Sequence, residues 1–182
     1  MQTPDNPATP LATQATNTPP APGQYWPEQA GWYIGIICNP INGQAWHLIQ
    51  PDGEEFAFSS TAWGKEGQLI DGAISIYDGH ANTLDMLAAK STLAKKIRAL
   101  PGDCYLPSRA EALAMFATAK AKQAPGWHWT STQDSDNNAW SQYFRNGYQG
   151  NNVYKGAKAR ARAVRRLVIQ SFSPLSVEGG AA

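Results

Sequence analysis

Cysteine is scarce in this chain. Two cysteines, Cys38 and Cys104, in 182 residues cannot supply a disulfide framework or a cysteine-rich metal cluster. Two buried free thiols are the expected state, with a pairing between them left open. Histidine is scarce as well: His47, His80 and His128 are scattered, and none forms the close His-x-x-x-His pair that a zinc site uses. Neither sign of charge is in excess. Fifteen basic residues face fourteen acidic ones, so nothing global directs the protein to nucleic acid or to an acidic substrate. No apolar run is long enough to span a bilayer, and no basic stretch leads into an apolar one at the N-terminus, so neither membrane insertion nor an export signal is expected. Serine, histidine and aspartate are all present, but the Gly-x-Ser-x-Gly nucleophile elbow is missing. The expectation is a protein without catalytic activity, cofactor or metal.

Large aromatics, by contrast, are plentiful: seven tryptophans and seven tyrosines, the residues that dominate cores and interfaces. The chain is long enough for one domain with a real core. Its ends differ from its middle. Residues 1–23, "MQTPDNPATPLATQATNTPPAPG", are proline, threonine and alanine with almost no charge, a composition that favours extended backbone. Residues 172–182 read as a second loose tail, which leaves residues 24–171 as the domain. Within it "GWYIGIIC" and "QAWHLIQ" flank the turn cluster "NPING" as a hairpin, and "GEEFAFSS" adds a third strand. Residues 83–100 then read as helix, capped by Asn82 and restarted at Ser91-Thr92. In "LPSRAEALAMFATAK" Ser108 precedes Glu111 by three residues, a capping box, and Leu113, Phe116 and Ala117 share one helical face. Short strands return over 126–132, 139–144, 148–154 and 160–169, punctuated by Gly147, Gly150 and Gly156. The class is α+β, with the terminal strands brought into one sheet.

"YLPSRAEALAMF", "WHWTSTQ", "AWSQYF.NG" and "RARAVRRL" fall in the order and spacing of the Lcl C-terminal-like family, which the chain resembles over residues 102–169. The opening hairpin and "DGHANT" (78–83) look like that family's phage and prophage branch. The resemblance implies a C-type-lectin-like domain with paired N- and C-terminal strands, two helices and an irregular, strand-rich ligand face. Similar folds serve as phage tropism determinants and as targets of diversity-generating retroelements. Implied with it are a place in the virion, after synthesis in the bacterial cytoplasm, and homo-oligomeric assembly, a trimer being one form. The related formylglycine-generating enzymes need a cysteine pair late in the domain. No cysteine follows Cys104 here, which argues against that branch. Asp134, Asp136 and Asn138 of "DSDNN" offer oxygens as a calcium loop would, but they lack the EF-hand glycine and bidentate glutamate. The calcium-lectin triplets Glu-Pro-Asn and Trp-Asn-Asp are also missing, so a solvated acidic turn is favoured.

The stretch from Ala139 to Leu167 divides by composition. In "RARAVRRL" alternation along one strand places Arg160, Arg162, Val164 and Arg166 on one side. An anion or sulfated-glycan patch, helped by Lys155 and Lys158, is one reading. The favoured one is a scaffold strand whose arginine stems pack on the sheet while their heads pair with carboxylates. Before it, Tyr143, Arg145, Asn146, Tyr148, Asn151, Asn152, Tyr154 and Lys155 sit near turns. Tyrosine gives rigid contact area and asparagine adaptable hydrogen bonds, the palette of binding loops. These eight are the expected ligand face. The expected function is a virion-associated adhesin or accessory fibre protein that binds a bacterial surface glycan or protein, with residues 1–23 docking to other virion proteins. The alternative is a structural virion component, such as a capsid decoration or baseplate protein.

Overall fold

In the computed structural model, residues 18–169 are described. Most of the arm and all of the tail expected over 172–182 lie outside them. From Gly23 the backbone is already tied down, its N–H donating to the Tyr33 carbonyl at 2.7 Å.

Strands β1 (Tyr25–Trp26), β2 (Gly31–Cys38) and β3 (Ala45–Pro51) lead into β4 (Ala57–Thr61). Three helices follow: α1 (Gly79–Ala88), α2 (Thr92–Arg98) and α3 (Arg109–Ala119). The chain then returns to strands with β5 (Trp127–Gln133), β6 (Asn138–Tyr143), β7 (Gln149–Tyr154), β8 (Ala159–Arg162) and β9 (Arg165–Ile169). The described residues form an α+β fold with two sheets, ordered β1-β2-β3-β9 and β4-β8-β5-β6-β7. The last strand joins the first ones in a single sheet, although its partner is β3 and not β1.

The helix signals divide into hits and corrections. Ser91 caps α2, its side chain accepting from the Ala94 N–H, so the restart falls where expected. Asn82 does not cap α1. That cap is Asp78, which accepts from the Ala81 N–H at 2.9 Å, while Asn82 is buried one turn on and braces Ser75 and Ser131. The capping box at Ser108 and Glu111 forms. The buried face of α3 is Ala112, Met115 and Ala119, not Leu113, Phe116 and Ala117: Leu113 is 49% exposed. Glutamate at 111 is drawn inward, which rotates the helix away from the face that hydropathy alone selects.

The largest correction concerns residues 160–169, expected as one strand. Ala163 and Val164 are consecutive and both fully buried, which a strand with one solvent face cannot accommodate. The chain crosses there from the second sheet to the first, with Val164 bridging Tyr105. Residues on either side of the crossing therefore belong to different sheets. One core cluster, with Trp63, Met86, Leu93, Ile97 and Trp129, lies under the second sheet and the first two helices. Another, with Ile34, Trp46, Leu48, Met115 and Phe144, joins the first sheet to α3. Cys104 is buried and Cys38 exposed; both are free, so only one of the two thiols is inside.

Candidate functional site

The β6–β7 hairpin carries most of the expected face. Its turn is closed by the Tyr143 N–H donating to the Tyr148 carbonyl and the Gly147 N–H to the Tyr143 carbonyl, at 2.8 and 2.9 Å. Asn146 turns its side-chain oxygen back onto the Tyr148 N–H at 3.1 Å, the local bond that makes asparagine a turn former. Gly147 has φ +85°, and a Cβ there would stand 2.6 Å from the Phe116 ring, so only glycine fits. Farther along, Ala139 pairs with Val153 but Ser141 pairs with Gly150. Trp140 is thus opposed by both Asn151 and Asn152, a bulge that leaves the two asparagines exposed.

Arg145, Asn146, Tyr148, Asn151, Asn152 and Tyr154 are exposed, and Tyr143 is half-buried. Tyr148 and Tyr154 are the most open of the tyrosines, at 60% and 61%. They do not form one patch. Strand β7 is the edge of its sheet; Tyr154 faces Asn138 and Tyr148 closes on Tyr143, five residues apart on β6 at about 3.3 Å each, so the two positions stand roughly 17 Å apart along the strand. The arrangement is a ridge with an aromatic end near the turn and a Tyr154 end beyond the bulge.

Lys155 leaves the face. It is fully buried, its ammonium donating to the Gln68 carbonyl at 2.6 Å and to Gln133 Oε1 at 2.7 Å, 4.9 Å from the centre of the Trp63 ring. Burial pulls its pKa down to about 8, a nearby Asp136 opposing the shift. The tyrosine-asparagine palette stops at Tyr154, where the chain turns inward.

Sequence reasoning missed what backs the ridge. Trp127 lies opposite Tyr143 in the β5–β6 register, its ring 4.9 Å from Tyr143 and edge-on to Tyr148 at 5.9 Å. A Cβ on Gly150 would meet the Trp127 ring at 3.3 Å, so the glycine lets the indole lie against the strand. Arg109, at the start of α3, stacks 3.3 Å over the Trp140 ring. Gln149 joins the pieces, donating to the Arg109 carbonyl at 2.8 Å and to Gln142 Oε1 at 3.0 Å. Asn151 is steadied by donating to Asp134 Oδ1 at 3.1 Å. Trp127 and Trp129 share one face of β5, opposite Tyr143 and Ser141, but Trp129 meets the core cluster whereas Trp127 meets the tyrosines of the ridge.

The oxygens of the acidic turn already have partners: Asp134 accepts from Asn151 of the adjacent β7, and Asp136 from Asn137 within the turn. Among the described residues no group of three or more His, Cys, Asp or Glu could hold a metal ion. The histidines stay apart, His47 with the Tyr33 hydroxyl, His80 with Asp103 and His128 with the Gly126 carbonyl.

The arginines hold the frame, but mostly not by pairing with carboxylates. Arg162 donates to the carbonyls of Gly53 and Pro51 at 3.1 and 2.6 Å. Arg165 grips Gln29 through its side-chain and backbone oxygens. Of the four arginines at 160–166, Arg166 alone finds an acid among the described residues, Asp78 at 2.9 Å. Lys158 is exposed. A cleft of about 720 Å³ lies elsewhere, between residues 62–70 and the α1–α2 turn, with the fully occluded Trp63 at its wall. No protein-family model matches the chain, and no curated protein matches it.

Proposed function

We propose that this chain is a phage-derived, virion-associated binding module with a C-type-lectin-like fold, which contacts a host-surface glycan or protein along the β7 edge. The observation that carries the reading is the concentration of exposed tyrosine and asparagine side chains on that edge, backed by the packed Trp127 ring. A ridge roughly 17 Å long by strand geometry suits an extended ligand. Arg145 is its one charged exposed member among the residues named for the face, so hydroxyls and amides are better matched partners than a polyanion. The sheet shared by the first and last strands agrees with the fold that the sequence resemblance implies. The reading assigns the protein no catalytic role and no cofactor, and gives residues 1–23 the task of docking to other virion proteins.

Binding of labelled full-length protein to a glycan array and to intact bacteria tests the proposal. Saturable attachment that is lost in Tyr148→Ala is expected. Stoichiometric incorporation into particles, with no attachment to cells or glycans, would instead make it a decoration or baseplate component.

A further inference from the structure

A groove of about 330 Å³ opens between β4, β8 and the turn after α3, a volume adequate for a small ligand. Its cations are Lys122, Arg160 and Arg162, its carboxylate is Glu54, and its imidazole is His128. The three cations are held differently. Arg162 is fixed by the Pro51 and Gly53 carbonyls, with Glu54, Asp52 and Glu55 favouring its charge. Lys122 rests its ammonium 3.6 Å from the centre of the Trp32 ring. Among the described residues Arg160 has no comparable partner. Its backbone faces His128 in the one parallel contact between β5 and β8, and its guanidinium passes close enough to Gly126 that a Cβ there would lie 3.4 Å from Nη1. Among the described residues no carboxylate pairs with it. His128 is kept neutral by burial and contributes no balancing charge of either sign.

The groove lining therefore holds three cationic side chains against one carboxylate, Glu54, while Asp52 and Glu55 act on Arg162. A half-buried guanidinium stays charged at any accessible pH, and a counter-ion recovers part of what its desolvation costs. We propose that this groove binds a small oxyanion, a carboxylate or a sulfate group, between the Arg160 guanidinium and Lys122. The site is distinct from the β7 ridge: His128 and Trp127 are successive residues of one strand and face opposite sides of the sheet. It also revises the two readings of the basic stretch, since Arg162, Arg165 and Arg166 serve the frame and, among the described residues, Arg160 alone of the four has no side-chain partner.

Titration of the full chain with sodium succinate and, separately, sodium sulfate, against sodium chloride at matched ionic strength, reads the site through the backbone amide resonances of Gly126, His128 and Ala161. A saturable shift with at least one oxyanion and none with chloride is expected, succinate marking a carboxylate ligand and sulfate a sulfate ester. Arg160→Gln should weaken it by about tenfold, the loss of one charge-assisted fork. Saturation by neither oxyanion, or equal saturation in Arg160→Gln, overturns the proposal. Lys122→Gln, on an exposed turn, repeats the test if Arg160→Gln does not fold: weaker binding supports the site and unchanged binding overturns it. Tyr148→Ala should leave this titration unaltered, which separates a failure here from a failure of the attachment reading.

Discussion

Replacing Glu111 by glutamine should be among the most damaging isosteric changes in the molecule. The carboxylate is fully buried and accepts four hydrogen bonds: Trp46 Nε1 and the Tyr105 hydroxyl on one oxygen, at 3.1 and 2.7 Å, and the Ser108 and Gly79 N–H groups on the other, at 2.7 and 3.2 Å. Burial pushes its pKa up, and these donors oppose that shift. Glutamine can keep one oxygen on the Ser108 side, and the Tyr105 hydroxyl can rotate to accept from the new amide. The Trp46 indole N–H cannot, and is left buried without an acceptor, a loss of about 1–3 kcal/mol. The bonds that remain also lose their charge assistance. A net cost of about 2–3 kcal/mol would lower the melting temperature by roughly 5–10 °C for a domain of this size. Thermal unfolding followed by circular dichroism measures it. A glutamine variant that melts within 2 °C of the parent, as a rough threshold on the same scale, would mean that relief from burying a charge cancels the four bonds.

Half of that network was legible in the sequence and half was not. "PSRAE" announces the Ser108–Glu111 box, because capping is a local exchange between residues three apart. The other donors come from β3, from the start of α1 and from Tyr105, and no spacing rule reaches that far. The same division runs through the site. The exposed turn and bulge positions of Asn146, Tyr148 and Asn151 were legible because turn chemistry is local. Lys155 was misplaced because its composition matches an exposed loop, whereas its two acceptors arrive from residues 68 and 133. Strand alternation failed over Arg160–Arg166 because it assumes one continuous strand, and the crossing at Ala163-Val164 puts the two halves in separate sheets.

Three further expectations rest on the same geometry. Trp127→Ala with Tyr148→Ala should abolish attachment to bacteria, while Tyr154→Ala, at the far end of the ridge, weakens it less; equal losses at both ends would make the whole edge the contact. Lys155→Met should free the carbonyl of Gln68 and loosen residues 63–70, seen as faster amide exchange there with the β6–β7 turn unchanged; uniform protection would show that the buried ammonium does not fasten that segment. His128 sets an acid limit. Burial holds its pKa near 4 instead of the ordinary 6.5, with the Gly126 carbonyl opposing and Arg160 and Arg162 adding to the shift. The folded form thus binds the proton less readily than the unfolded one. The stability this represents is complete above about pH 6.5 and is lost as pH falls toward 4, amounting to roughly 3 kcal/mol over that window. Because carboxylates titrate over the lower part of the same range, the comparison is with His128→Gln, which carries no proton at any pH in it. Between pH 7 and 4.5 the parent should lose more of its melting temperature than the variant does. Parallel pH curves for the two would show that the imidazole meets water, or an anion in the groove, often enough to protonate without strain.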